Sequence, residues 1–189
     1  MKCKYPENDA NEIAPKLWLG NLKSSCDSNF LKKNKISIVI RFLSKKDVDV
    51  NNFNPKKIKN LPFDVYTYFI NNVKYIHFVV KDRKLNKHQC DRLFETTLNL
   101  LTRMYNKYNI LVHCIAGHHR SASVVCYFLI NYFNFGYEDA IKHVNSIRNC
   151  AMRRHTKLSK HLFILFSKKR GITRINPKGS SKGKYYIYS

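Results

Sequence analysis

The chain has 189 residues, 44% of them hydrophobic, enough for one ordinary domain with a real core and too apolar for a wholly disordered protein. No run of about 20 apolar residues occurs, so a spanning helix is excluded, and the polar start Met1-Lys2-Cys3-Lys4-Tyr5-Pro6 lacks the apolar region of a secretory signal. The balance of 35 Lys and Arg against 12 Asp and Glu, a formal net charge of +23, attracts phosphorylated protein, RNA and acidic membrane surfaces alike, and equally describes a solvated basic surface.

Residues 1–11 read as a loose lead-in. Ile13 to Gly20 (IAPKLWLG) reads as a short strand ending at a glycine turn, and Asp27 to Lys33 as a short helix with Phe30 and Leu31 inward. Ile36 to Phe42 (ISIVIRF) is β-branched and apolar, the pattern of a buried strand. Ser44 to Pro62 is polar, basic and Asn-rich, hence a long loop or insertion. Val73 to Val80 (VKYIHFVV) is the next strand.

Asn86 to Tyr108 is a strong helix candidate, because Phe94, Leu98, Leu101 and Tyr105 recur at helical spacing. Asn109 to His113 (NILVH) is a short apolar strand, followed by a loop of small residues. Ser121 to Phe133 is an apolar helix, Gly136 breaks it, and Tyr137 to Ile147 forms another. Lys157 to Lys169 is a last amphipathic helix, and the basic segment Gly171 to Ser189 is expected to be a mobile tail. Strands followed by helices imply an α/β fold: a central, mostly parallel twisted sheet flanked by helices, with the domain spanning 12–170.

The six cysteines are irregularly spaced, with neither a CxxC pair nor a dense disulfide pattern. They read as reduced thiols of an intracellular, cytoplasmic protein, with nuclear or virion association left open. Cys90 and Cys126 fall on apolar helical faces and read as core.

The chemistry concentrates in His113-Cys114-Ile115-Ala116-Gly117-His118-His119-Arg120-Ser121, between an apolar strand and an apolar helix. A loop entering a helix N-terminus turns backbone N–H groups toward its centre, and the helix dipole adds positive potential there. The amides of Ile115, Ala116, Gly117, His118 and His119 thus form a cradle sized for phosphate. A thiol inside it loses its proton readily: free Cys titrates near ~8.5, and such a setting lowers this to roughly 3.5–7.5. Cys114 is therefore the expected nucleophile. Arg120 supplies a planar fork for two phosphate oxygens. Ser121 offers a hydroxyl to the sulfur, or a plain helix cap, and His113 stands beside the thiol as a supporting residue.

Expulsion of an alkoxide or phenoxide needs a proton donor. Asp82, closing the strand Val73 to Val80, is the expected acid, ahead of Asp91 and Glu95, which lie within the predicted helix. The paired His118 and His119 either add charge for a multiply phosphorylated ligand or contribute only their amides. Four ligands as close as His113, Cys114, His118 and His119 would collapse the cradle, so no metal is expected.

The HC-x5-R-S pattern with an acid ahead of it resembles the protein tyrosine phosphatase superfamily. The flanking residues are similar to those of the compact dual-specificity phosphatases: Ile13 to Asn21, Arg120-Ser121-Ala122-Ser123, Cys126-Tyr127-Phe128-Leu129, Glu138-Asp139-Ala140-Ile141 and Ile147-Arg148. Asp82 precedes Cys114 by 32 positions (82 to 114), similar to the spacing usual in that group. The resemblance implies Cys114 as nucleophile, Asp82 as general acid, Arg120 as phosphate binder, and no cofactor. No segment resembling the pocket-deepening Tyr loop of classical tyrosine-specific domains occurs, which favours a shallow pocket accepting phosphoserine, phosphothreonine and phosphotyrosine of proteins.

Three features depart from the family pattern. Ser44 to Asn72 is longer than usual, Asn149 to His155 lacks the usual Pro-Asn pair, and His118 and His119 are unusual in the loop. Hydrolysis of RNA 5′-phosphates or phosphoinositides is the competing activity. The RNA branch usually carries Thr-Gly where Ser121-Ala122 stands here. A non-hydrolysing phosphate reader is the third reading, against which the intact Cys114, Arg120 and Asp82 argue. The Asn- and Lys-rich composition resembles phosphatases of large DNA viruses that replicate in cytoplasm, and equally fits an AT-rich protist.

Overall fold

A computed structural model describes residues 8–44, 53–61, 63–81, 84–152 and 156–170, with the side chains of 167–170 excepted. Asp82 and the expected tail 171–189 lie outside the described residues.

The segment expected as one strand from Ile13 to Gly20 is two: β1 (Ala10–Ala14) and β2 (Leu17–Gly20), paired antiparallel with Ala10 opposite Gly20. Pro15 has no N–H to continue a ladder, and Lys16 reverses the chain in the left-handed conformation, φ 68°. The Lys16 amide donates to Glu12 Oε1 at 2.8 Å, closing the turn. β1 thus begins inside the segment expected to be a loose lead-in.

Helix α1 (Ser28–Lys33) is capped by Asp27, whose carboxylate accepts from the Asn29 and Phe30 amides at 3.0 Å each. β3 (Ile36–Leu43) follows as expected. The stretch expected as a loop or insertion holds β4 (Lys56–Ile58), and β5 (Val65–Ile70) follows it. β5 turns into β6 (Val73–Val79) through Asn71 and Asn72, both at positive φ (47° and 65°).

Helix α2 (Lys87–Met104) opens on a capping box between Asn86 and Gln89 and ends four residues before the expected boundary. β7 (Asn109–His113) and α4 (Tyr137–Ile147) lie where expected. Helix α3 (Arg120–Tyr132) begins at Arg120, and α5 spans Lys157–Arg170.

Among the described residues the sheet runs β1-β2-β7-β3-β6-β5-β4. The four central strands β2, β7, β3 and β6 are parallel, which is the parallel character read from the pattern. Both flanks, β1 on one side and β5–β4 on the other, are antiparallel.

Side chains alternate between two packed faces. Ile38, Ile40, Phe42, Ile76, Phe78, Ile110 and Val112 face a large core shared with α2, α3, α4 and α5. Val39, Tyr75 and Leu111 face a smaller one under Leu31 and Phe30 of α1. Apolar α3, with Val124, Val125, Phe128 and Leu129 at 1% exposure or less, is wedged behind β7. The loop between them is therefore anchored at both ends by buried elements. Cys150 is disulfide-bonded, which corrects the expectation of six reduced thiols, while Cys26, Cys90, Cys114 and Cys126 remain thiols.

Candidate active site

Cys114 follows the last residue of β7, at 3% exposure, and Arg120 opens α3. The loop between them has one consistent property: the carbonyl of every residue from Cys114 to His119 accepts a hydrogen bond. The Cys114 carbonyl accepts from His113 Nδ1 at 3.0 Å. The Ile115 carbonyl accepts from the Leu22 amide at 2.9 Å. Arg148 holds the next two, Nη2 donating to Ala116 O at 3.3 Å and Nε to Gly117 O at 3.2 Å. The Met152 amide donates to His118 O at 2.9 Å, and the Ser123 amide to His119 O at 2.8 Å.

No cis peptide occurs among the described residues. In a trans peptide the N–H points opposite to its carbonyl. With six consecutive carbonyls engaged by the surrounding scaffold, the amides of Ile115 to Arg120 are turned the other way. The amides of His119 and Ser121 lie within hydrogen-bond reach of the Cys114 sulfur.

The loop can fold so tightly because Gly117 sits at φ +69° with its backbone against β2. A Cβ there would lie 2.3 Å from Gly20 O and 2.9 Å from Arg148 Nη2. Both the dihedral and the contact require glycine.

Two opposed effects act on the Cys114 thiol. Burial is the larger single influence and pushes its pKa up. Against it stand the Ser121 hydroxyl, the Ser121 amide, the Arg120 charge and the His119 amide, and together they leave the thiol below its ordinary value. Ser121 Oγ donates to Cys114 Sγ at 3.3 Å. The contrast with Cys126 isolates the cause: equally buried but with no such donors, its thiol is pushed far up by burial alone.

Arg120 Nη1 donates to Val80 O at 3.0 Å, tying the start of α3 to the end of β6. His113 is fully buried, and desolvation, reinforced by the nearby Arg41 charge, lowers its pKa to about 3. The ring is therefore neutral, with Nδ1–H donated to the Cys114 carbonyl. His118 is buried at 6% exposure and His119 half-buried, their rings 6.2 Å apart. The side chains of Ile115 and Ala116 are exposed at the cradle's rim.

The structure thus brings together Cys114, Arg120, Ser121, His113 and the His119 amide. It also shows a residue to which sequence reasoning gave no role. Arg148, at 1% exposure, donates to two loop carbonyls, and its Nη1 donates to Asn8 O at 3.1 Å and Asn11 Oδ1 at 2.8 Å. One guanidinium therefore fastens the cradle to β1 and to the residue pair just before it. The segment lacking Pro-Asn is also accounted for: Cys150 and Met152 adopt positive φ (71° and 60°), and Met152 thereby delivers its amide to His118 O. Among the described residues no group of three His, Cys, Asp or Glu could hold a metal ion.

Residues 17–165 match the model of the dual specificity phosphatase catalytic domain. The chain is 28% identical over 149 residues to human dual specificity protein phosphatase 22, covering 76% of this chain and 67% of that one. It is 31% identical over 131 residues to AMV078 of Amsacta moorei entomopoxvirus, named as a candidate tyrosine-protein phosphatase, covering 69% and 70%. The chain thus spans about two-thirds of the length of these relatives. The fold is similar to that of human DUSP28, with TM-score 0.64 at 16% identity, covering 88% of this chain and 99% of that one.

Proposed function

The chain belongs to the dual specificity phosphatases, and on that premise we propose that it hydrolyses phosphoserine, phosphothreonine and phosphotyrosine in proteins through a phosphocysteine at Cys114. The observation that carries this reading is a buried thiol with a depressed pKa at the head of a loop whose six carbonyls are all held by hydrogen bonds.

A phosphate monoester enters with its oxygens on the amides of 115–119 and on the fork of Arg120. The Cys114 thiolate attacks phosphorus; an S–P bond forms as the ester P–O bond breaks. The departing oxygen takes a proton from Asp82. Water then attacks the phosphocysteine, Asp82 as carboxylate accepts its proton, and the S–P bond breaks to return thiolate and inorganic phosphate. The hydroxyl of Ser121 donates to the leaving sulfur in this second step. Amides and guanidinium stabilise the charge on the transferring group in both steps.

Chain position supports Asp82 in this role. It follows by two residues Val80, whose carbonyl accepts from Arg120. The exposed rim at Ile115 and Ala116 suits a shallow entry rather than a deep aryl slot. The entomopoxvirus relative is in keeping with a viral source for the chain.

Initial rates on an aryl phosphate, phosphopeptides, 5′-triphosphate RNA and a phosphoinositide test the proposal. Phosphopeptides should be the preferred macromolecular substrate. Cys114→Ser should remove turnover while phosphate binding persists, and Asp82→Ala should lower kcat by roughly 10²–10⁴-fold with little change in KM. Turnover by Cys114→Ser would refute the covalent route, and a preference for RNA or the lipid would refute the substrate class.

A further inference from the structure

On the α1 face of the sheet lies a cavity of about 620 Å³ that none of residues 113–121 lines. Its size is that of a small-molecule site. Its walls are mostly apolar, including Leu31, Ile36, Ile70 and Val73, and Arg41 is among the residues that line it. Two exposed lysines, Lys32 and Lys35, belong to its lining.

Arg41 is the unusual member. It is 3% exposed, on the central strand β3. Nη1 donates to Tyr68 Oη at 2.7 Å and Nη2 to Ser25 Oγ at 3.3 Å, and the guanidinium carbon lies 4.5 Å from the centre of the Tyr75 ring. Nε has no hydrogen-bond partner among the described residues. Every partner is neutral, and no described carboxylate pairs with it. Neither phenol supplies the missing negative charge: burial pushes Tyr68 up and Tyr75 up to about 12, so both stay protonated. A guanidinium cannot discard its proton as a buried lysine can, and an uncompensated buried charge is costly unless something neutralises it.

We propose that this cavity binds an amphiphilic anion, an alkyl carboxylate or alkyl phosphate, with its head on Arg41 and its chain against Leu31, Ile36, Ile70 and Val73. Lys32 and Lys35 add attraction for the same charge. A bare inorganic anion would leave the apolar walls unfilled, and an uncharged alkane would leave Arg41 without a counter-charge. The cavity shares no lining residue with the catalytic cradle, although Arg41 is the register neighbour of His113, and the proposal does not depend on the activity proposed for the cradle.

Calorimetric titration of the full chain with octanoate, octylphosphonate (whose C–P bond resists hydrolysis) and octanol tests the proposal and ranks the two head groups. At least one of the anions should bind tenfold or more tighter than octanol. Arg41→Met should remove that advantage, and Lys32→Glu with Lys35→Glu, both on the surface, should weaken it severalfold. Arg120→Ala, which disables the cradle, should leave it intact. Equal binding of octanol and both anions would overturn the assignment. So would loss of binding in Arg120→Ala, or unchanged affinity in the Lys32→Glu, Lys35→Glu protein, which reads the site even if Arg41→Met does not fold.

Discussion

Arg148 holds the loop around Cys114, the proposed nucleophile, by its carbonyl side. Its Nε and Nη2 hold Gly117 O and Ala116 O, so its loss would leave two carbonyls free to rotate into the cradle. Each buried polar group left unpaired costs roughly 1–3 kcal/mol, which predicts a fall in kcat/KM of about 10–100-fold for Arg148→Met. Arg148→Lys should not rescue it, because one ammonium cannot reproduce a fork that also reaches Asn11. The positioning role is read by the pH dependence of Cys114 alkylation: the thiol should shift toward the value of an ordinary cysteine. An unshifted thiol in a folded Arg148→Met protein would reduce Arg148 to packing.

His113 carries a second prediction at this scale. Its imidazole titrates near 6.5 when unfolded and near 3 when folded. Between those values only the unfolded chain takes up the proton. The contribution of neutral His113 is therefore complete above about pH 6.5 and is lost as pH falls, by about 1.4 kcal/mol per pH unit within the window. Urea midpoints measured between about pH 4 and 7 should fall more steeply for the parent than for His113→Asn. Parallel slopes would show that His113 is not the group responsible.

Among the elements, the β5–β6 hairpin carries a local signal of its own. Val65 to Ile70 (VYTYFI) is rich in β-branched and aromatic residues, and Asn71-Asn72 is a two-residue reversal in which both residues take positive φ. The polar, basic context upstream masked this signal, so the segment read as insertion. Because Asn tolerates the left-handed region less well than Gly, Asn72→Gly should stabilise the chain by roughly 0.5 kcal/mol, a rise in Tm of about 1–2 °C. Asn72→Val, branched at Cβ, should lower it. A thermal melt that ranks the three the other way would mean that the turn does not limit stability.

The β1–β2 reversal is the complementary case. Pro15 marked it in the sequence, but a glycine further on drew the strand boundary to Gly20. Strand β7 and helix α4, by contrast, were legible to the residue, with the bounds that their apolar patterns imply, while α2 ends four residues before its expected boundary.

For the whole molecule the dominant property is the charge of +23. A field of that size concentrates anionic substrates, and salt screens it over a Debye length of about 10 Å at 0.1 M. Raising salt from about 0.05 to about 0.5 M should therefore lower kcat/KM for a multiply phosphorylated peptide far more than for a small aryl phosphate. Equal salt dependence for the two would show that the surface charge does not steer substrate.

The sequence by itself determined most of the elements and the residue types of the loop, because both are local, but it merged β1 with β2 and left β4 and β5 inside an expected insertion. Periods of two and of 3.6 residues record which side of a strand or helix is buried, and a Cys placed before a helix start meets that helix's own amides whatever surrounds it. What only the tertiary structure decided is the set of contacts between segments remote in the chain. Arg148 reaches Gly117 across 31 positions and Asn8 across 140, and Gly20 lies against Gly117. The buried Arg41 is held by Tyr68 and Ser25 from other segments. No local pattern encodes such pairs, since they arise only when the sheet brings β2, β3 and β7 side by side and closes the helices over them.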